Sequence, residues 1–271
     1  MIHDVQGAPA YAYTGGKRFD PAQPTIVFVH GAQNDHSVWA LQSRWFAYHG
    51  WNVLALDLPG HGRSGGAALA SVEAMADWLL ALLDAAGAGQ ALLVGHSMGS
   101  LVAIEAAARA PDRVTGLALL GTTWPMKVSD ALLAASRDAL ESAIDMVAFW
   151  SHSSPLPRPA SPAPGFSATG MSRRLMQRLA EQNPAQLFHI DFSACNAYAN
   201  GGTAAAGVAC PVLFILGARD LMTPPRSAQA LTSAIKHGKI VTVDAGHAMM
   251  AEQPDAVLDA LAAFAGTPGA H

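Results

Sequence analysis

Charge is what this chain has least of. Only 13% of its 271 residues are charged, against about 25% in an average soluble domain. The 16 Lys and Arg are outnumbered by 20 Asp and Glu, giving a net charge of −4 and an isoelectric point near 6.2. No basic field is therefore available for a phosphate backbone, which excludes nucleic acid as an expected partner. No basic cluster stands ready to hold an anionic lipid surface either. Cysteine is almost absent. Cys195 and Cys210 show no metal-ligand spacing. The first residues, Met1-Ile2-His3-Asp4, lack a basic segment followed by an apolar run, so no signal peptide is expected. Two free thiols in a reducing, cytoplasmic setting are the corresponding expectation.

Apolar residues are plentiful, at 51%, and mean hydropathy is +0.22. The best candidate for a membrane span is the uncharged stretch from Ala85 to Ile104. Gln90, Gly95, His96, Ser97 and Gly99 interrupt it, which a lipid-facing helix of ~20 residues does not tolerate at its centre. It reads instead as a turn, a buried strand and a sharp bend into a helix.

That strand-turn-helix rhythm recurs. Short apolar runs at Thr25–Val29, Val53–Leu56, Ala91–Val94, Val114–Leu120, Val212–Leu216 and Ile240–Val243 alternate with amphipathic stretches. The pattern predicts an α/β fold, with a mostly parallel sheet covered by helices on both faces. A shorter strand around Tyr11-Ala12-Tyr13 is expected at the sheet edge. Helices are expected at Ser71–Ala85 with Ser71 as N-cap, at Ser97–Ala110 ending before Pro111, and at Glu252–Phe264 before a frayed tail at Gly266–His271.

The rhythm breaks between Thr122 and about Ala209. Here the spacing predicts helices at Asp130–Phe149 and Ser172–Asn183 and no buried strand. The five prolines from Pro155 to Pro164 predict a loop over Ser153–Gly165. Asn200-Gly201-Gly202 reads as the turn back toward the sheet. The expected organisation is a core of residues 1–121 and 210–271 with a helical insertion, 122–209, between two core strands.

Gly95-His96-Ser97-Met98-Gly99 carries the chemistry. The pattern Gly-x-Ser-x-Gly is weak alone. Here four apolar residues precede it and a helix follows, so Ser97 sits on a tight strand-to-helix turn with Oγ exposed above the sheet. A serine needs a base. His247 follows the last expected strand in Asp244-Ala245-Gly246-His247, at the rim where parallel strands end. Asp220 follows another strand through Gly217-Ala218-Arg219 and is the expected acid. Asp244 lies too close in the chain to face the His247 ring, and Asp57 is expected to stabilise the loop Leu58–Gly65. Backbone N–H groups of Met98 and Ala32 are the candidate oxyanion donors.

With these motifs on the page, the chain resembles the α/β-hydrolase superfamily, in its cap-containing esterase-like branch. The resemblance rests on Val29-His30-Gly31-Ala32 with Trp39, Asp57-Leu58-Pro59-Gly60-His61-Gly62-Arg63-Ser64, the Ser97 motif, Gly217-Ala218-Arg219-Asp220 with Pro224, and Ala245-Gly246-His247 with Glu252 and Pro254. It implies an α/β-hydrolase fold with a helical lid, a Ser97–Asp220–His247 triad and a small-molecule ester-like substrate, with no metal or organic cofactor. His36, Trp39, Trp124, Phe149, Trp150 and Met249 are candidate pocket residues. His61, Met126, Phe166, Met171 and Phe188 are further apolar or pocket candidates, and Arg173, Arg174 and Arg178 fit a solvated helix face better than a carboxylate clamp. Amide hydrolysis, carbon–carbon bond hydrolysis, peroxy-acid formation and a slow-turnover receptor remain open beside ester hydrolysis. The sparse surface charge is compatible with a homodimer without fixing the oligomeric state.

Overall fold

The computed structural model describes residues 1–154, 167–183 and 186–266. Eight strands form one sheet: β1 (Ile2–Val5), β2 (Ala8–Tyr13), β3 (Thr25–Val29), β4 (Asn52–Leu56), β5 (Ala91–His96), β6 (Val114–Leu120), β7 (Val212–Gly217) and β8 (Gly238–Val243). Their order is β1-β2-β4-β3-β5-β6-β7-β8. The pairs β1–β2 and β2–β4 are antiparallel, and every pair from β4 through β8 is parallel. The Tyr11–Tyr13 segment belongs to β2 and is not the edge, because β1 pairs outside it.

Helices cover both faces: α1 (Ala40–Tyr48), α2 (Val72–Ala85), α3 (Met98–Arg109), α4 (Asp130–Asp138), α5 (Leu140–Trp150), α6 (Ala168–Gln182), α7 (Leu187–Ala197), α8 (Gly201–Ala206), α9 (Gln229–Ala234), α10 (Met249–Glu252) and α11 (Pro254–Ala265). Strand periodicity divides the core cleanly. In β3, Val27 and Val29 join the cluster under α2 and α3, while Ile26 and Phe28 join the one under α1 and α11. In β5, Leu93 goes to the first cluster, and Leu92 and Val94 go to the second. Ser71 caps α2 by accepting a bond from Ala74 N–H at 3.2 Å.

Between β6 and β7 the chain carries α4 to α8 and, among the described residues, no strand. The single helix expected over Asp130–Phe149 is two helices, broken at Ala139 (φ −148°, ψ 63°). The break lets both halves bury their apolar faces. Leu132 from α4 and Ala143, Ile144 and Val147 from α5 pack with Met176, Phe188 and Phe192 in a satellite core of the insertion. The helix expected from Ser172 starts at Ala168, capped by Ser167 Oγ. Gly201-Gly202 is not a turn but the start of α8. A side chain at Gly201 would overlap the Trp124 indole, so the glycines allow a close helix-to-ring approach. The C-terminal helix splits at Pro254 into α10 and α11. The proline-rich loop, Phe166 and the tail beyond Gly266 lie outside the described residues. Cys195 and Cys210 are free thiols.

Candidate active site

Ser97 connects β5 to α3 with φ 52° and ψ −120°. This is a left-handed, strained conformation for a non-glycine residue. Neighbouring contacts hold it. Ser97 N–H donates to Leu120 O at 2.9 Å, and Ser100 Oγ donates to Ser97 O at 2.6 Å. A side chain at Gly95 would overlap the Gly99 carbonyl, and one at Gly99 would overlap the Val29 carbonyl. The two flanking glycines therefore let strand, turn and helix close on one another. Gly31 serves the opposite wall, where an added Cβ would lie 3.1 Å from the Ser97 Cβ.

His247 follows β8, and its Nδ1 lies 2.8 Å from Asp220 Oδ2. Asp220, just beyond β7, is held by four groups. Met222 and Thr223 N–H both donate to Oδ1 at 2.8 Å, and Thr223 Oγ1 and the imidazole both meet Oδ2 at 2.8 Å. Burial works to raise the Asp220 pKa. The His247 imidazole and the Thr223 bonds outweigh it and hold the carboxyl below the usual carboxylate range. An ionised Asp220 accepts only, so Nδ1 of His247 carries the proton and Nε2 is left as the basic nitrogen. Asp244 is placed elsewhere, 2.7 Å from exposed Arg219. Asp57 accepts from His36 N–H, His36 Nδ1 and Arg63 N–H and ties down the loop after β4.

His96 orients its neighbour through the backbone, with Nε2–H donating to His247 O at 2.9 Å. Burial and the adjacent His247 push the His96 pKa down to about 3, so its ring stays neutral. Ala248 N–H donates to Ser151 O at 2.8 Å, anchoring the His247 loop to the insertion. Gly121 closes the site from beneath. Its φ is +53°, and a Cβ there would lie 3.0 Å from His247 Nδ1 and 3.5 Å from Asp220 Oδ2. Gly121 and Thr223 are site residues outside the sequence expectations. Signals for both exist: a glycine ending a core strand on the site's rim, and a threonine three residues after an aspartate, the spacing of a side-chain-to-backbone turn.

Ser97 and His247 open together onto a cavity of about 710 Å³ between the insertion and the core, with Ala32 and His96 also in its lining. Among the described residues Ser97 Oγ forms no hydrogen bond with His247; such contacts commonly tighten only when substrate is bound. The cavity walls are apolar, from Val38, Leu41, Val147, Leu175, Met176, Phe192, Met222 and Met250, with Arg174, Arg178 and Glu252 among its polar residues.

None of the six candidate pocket residues is among these. Trp39 is fully buried in the core against Phe28. His36 turns to Asp57 and packs on Tyr11. Trp124 lies against Gly201 and Gly202. Phe149 is 60% exposed, Trp150 packs on the insertion core, and Met249 is sealed in the core beside Val257. The reason is helical phase. Val147 and Ser151 of the α5 segment face the cavity, and Phe149 between them points away. Likewise Met250, not Met249, reaches the lining. Met126 and Phe188 are buried in hydrophobic clusters, and His61 bonds to Asp191. Met171 does line the cavity, as do Arg174 and Arg178, whereas Arg173 pairs with Glu141 and Asp145.

One trio has the spacing of a cation site: Asp35, His36 and Asp57, with ligand atoms within 4.8 Å of one another. Its atoms are already engaged, by Ser37 and Arg178 on Asp35 and by His36 and Arg63 on Asp57. No helix among the described residues is long and apolar enough to cross a membrane.

Residues 26–260 match the alpha/beta hydrolase family. The chain belongs to that family. Lipase LipV of Mycobacterium tuberculosis is 37% identical over 136 residues, 47% of this chain and 50% of the lipase. The match thus spans about half the length of that curated relative. Pimeloyl-[acyl-carrier protein] methyl ester esterase of Neisseria meningitidis is 28% identical over 242 residues, covering 86% of this chain and 89% of that one. Among solved structures, the enol-lactonase of Burkholderia xenovorans LB400 superposes with a TM-score of 0.79 at 24% identity, covering 98% of this chain and 99% of the other. This alpha/beta hydrolase thus shares its fold with an enzyme that differs from it at three positions in four.

Proposed function

We propose that this alpha/beta hydrolase cleaves carboxylic esters, small to medium apolar or aryl ones, through an acyl-enzyme on Ser97. The observation that carries the reading is the Asp220–His247 bond at 2.8 Å, with its imidazole on the same cavity as a serine of φ 52°. His247 Nε2 takes the Ser97 proton as Oγ attacks the ester carbonyl. The oxyanion is met by the N–H groups of Ala32 and Met98. Met98 is the first residue of α3, so its N–H has no intrahelical acceptor and carries the helix's partial positive charge. His247 then returns the proton to the leaving alcohol. Water, deprotonated by the same nitrogen, releases the acid.

The apolar lining around Leu175, Met176 and Phe192 favours an apolar acyl or aryl group. On this reading the α4 to α8 insertion is a cap that supplies much of that wall. The esterase and lipase names of the two relatives point the same way.

Hydrolysis of p-nitrophenyl esters of increasing acyl length, by the parent and by Ser97→Ala, tests the reading. Turnover in the parent alone supports it, and the preferred chain length measures the pocket. No turnover in the parent with any ester contradicts it and brings amide or carbon–carbon bond cleavage forward.

A further inference from the structure

Asp191 takes no part in the Ser97–His247–Asp220 constellation, yet it is fully buried in α7, inside the insertion. Its Oδ2 meets two donors, Gln33 N–H at 2.7 Å and His61 Nε2 at 2.9 Å. The other His61 nitrogen, Nδ1, lies 3.1 Å from Pro59 O. With Asp191 as a carboxylate, both it and the Pro59 carbonyl can only accept, an arrangement that favours a proton on each His61 ring nitrogen. Burial disfavours that charge, but Asp191 outweighs it and raises the His61 pKa. Beside it, His30 is neutral. Its Nδ1–H donates to Gly31 O, and its Nε2 accepts from Leu58 N–H.

The loop this pair touches is the one that carries the Ala32 N–H. Gln33 holds a left-handed φ of 52° although it is not glycine, a strained state that persists only under outside restraint. The insertion supplies that restraint twice at this residue. Asp191 takes the backbone N–H, and Met176 O of α6 accepts from the Gln33 side chain at 3.0 Å. Arg178 of α6 adds a third tie, 2.6 Å from Asp35 Oδ2. Among the described residues, Asp191 Oδ1 has no hydrogen-bond partner. A buried ion pair with an idle oxygen is a poor device for stability alone.

We infer that Asp191 is a positioning residue for the oxyanion hole, holding the 31–35 loop from the cap side so that the Ala32 N–H faces the substrate oxygen. The inference rests on the ester-hydrolase reading above. It makes the insertion part of the catalytic apparatus rather than a cover alone. Substitution at Asp191 therefore costs transition-state stabilisation and leaves ground-state binding in place.

The test uses Asp191→Asn and Asp191→Glu in the full chain, with a p-nitrophenyl ester and an alkyl trifluoromethyl ketone. The ketone carbon bonds to Ser97 Oγ, the serine proton passes to His247, and the carbonyl oxygen becomes an oxyanion, so its affinity reports the hole directly. In Asp191→Asn, kcat falls by about 10–10²-fold, part of the ~10²–10³ that loss of a whole donor costs. KM stays within about twofold and the ketone Ki rises by the same factor as kcat falls. Asp191→Glu keeps the charge and the His61 pair but displaces the oxygen that Gln33 N–H meets, and it does not restore kcat. A folded Asp191→Asn with kcat and Ki unchanged, or with KM rather than Ki tracking the loss, overturns the inference. If Asp191→Asn does not fold, unchanged kcat and Ki in Asp191→Glu overturn it. A parent inactive on every ester sinks the hydrolase reading, and the inference with it. An active parent with unaffected variants sinks the inference alone.

Discussion

Asp220 Oδ2 and His247 Nδ1 lie 2.8 Å apart, although 27 residues of chain separate them. The contact exists because β7 and β8 are parallel neighbours, so the loops leaving their C-terminal ends emerge side by side.

Asp220→Asn places an amide N–H where the imidazole Nδ1–H now donates, forcing the proton to Nε2 and abolishing the base. We expect kcat to fall by about 10³–10⁴-fold. Asp244→Asn weakens an exposed pair with Arg219, away from the His247 ring, and leaves kcat within about twofold. Steady-state kinetics on both variants decide between the two acids, and the reverse order would assign the role to Asp244.

Gly121→Ala puts a methyl group 3.0 Å from His247 Nδ1 at a φ of +53°. Stability drops by about 1–2 kcal/mol from the left-handed backbone alone, and displacement of the imidazole lowers kcat further. Urea unfolding and kinetics on the same preparation check both. A variant with parental kcat would mean the imidazole has room to move.

Acid pH should weaken the fold well above the carboxylate range. Burial pushes His96 to about 3 and, with the His61 charge, His30 to about 4, against about 6.5 in an unfolded chain. Below about 6.5 the unfolded chain binds protons that the folded one refuses, so stability is full above that pH and is lost as pH falls toward 4 and 3. His61, raised by Asp191, works the other way, losing its contribution as pH rises through its folded pKa. Two depressed groups outweigh one raised group. Urea unfolding at pH 5 should therefore give a stability lower than at pH 7 by a few kcal/mol. Equal stability at the two values would contradict the buried neutral histidines.

The cavity wall is tested by helical phase. Val147 lines the cavity and Phe149 does not. Val147→Phe should shorten the preferred acyl chain, with long esters losing ~10-fold or more in kcat/KM. Phe149→Ala should leave the chain-length profile unchanged. A shift caused by Phe149→Ala would restore it as a pocket residue.

How much of this was legible in the residues follows from what each signal depends on. The β5–Ser97–α3 bend is local: an apolar run, two glycines and a helix fix it within about a dozen residues. The strand-end positions of Asp220 and His247 were readable for the same reason, since any parallel sheet sends those ends to one rim. The cavity lining was not. Residue type alone points to Trp39, Trp124 and Phe149, while phase and packing decide which way each points. The break at Ala139 and the helical run from Gly201 depend on partners distant in the chain, Met176 and Phe188 for one and Trp124 for the other. Asp191 and Gln33 met across 158 residues, a pairing no local pattern encodes.

The most direct test of the central claim is covalent labelling with a fluorophosphonate, followed by peptide mass spectrometry and residual ester turnover on the same sample. The account predicts one adduct per chain, on Ser97, with turnover lost in proportion to labelling and no adduct in Ser97→Ala. Turnover that survives complete Ser97 labelling, or loss of turnover with the adduct on another residue, would contradict it.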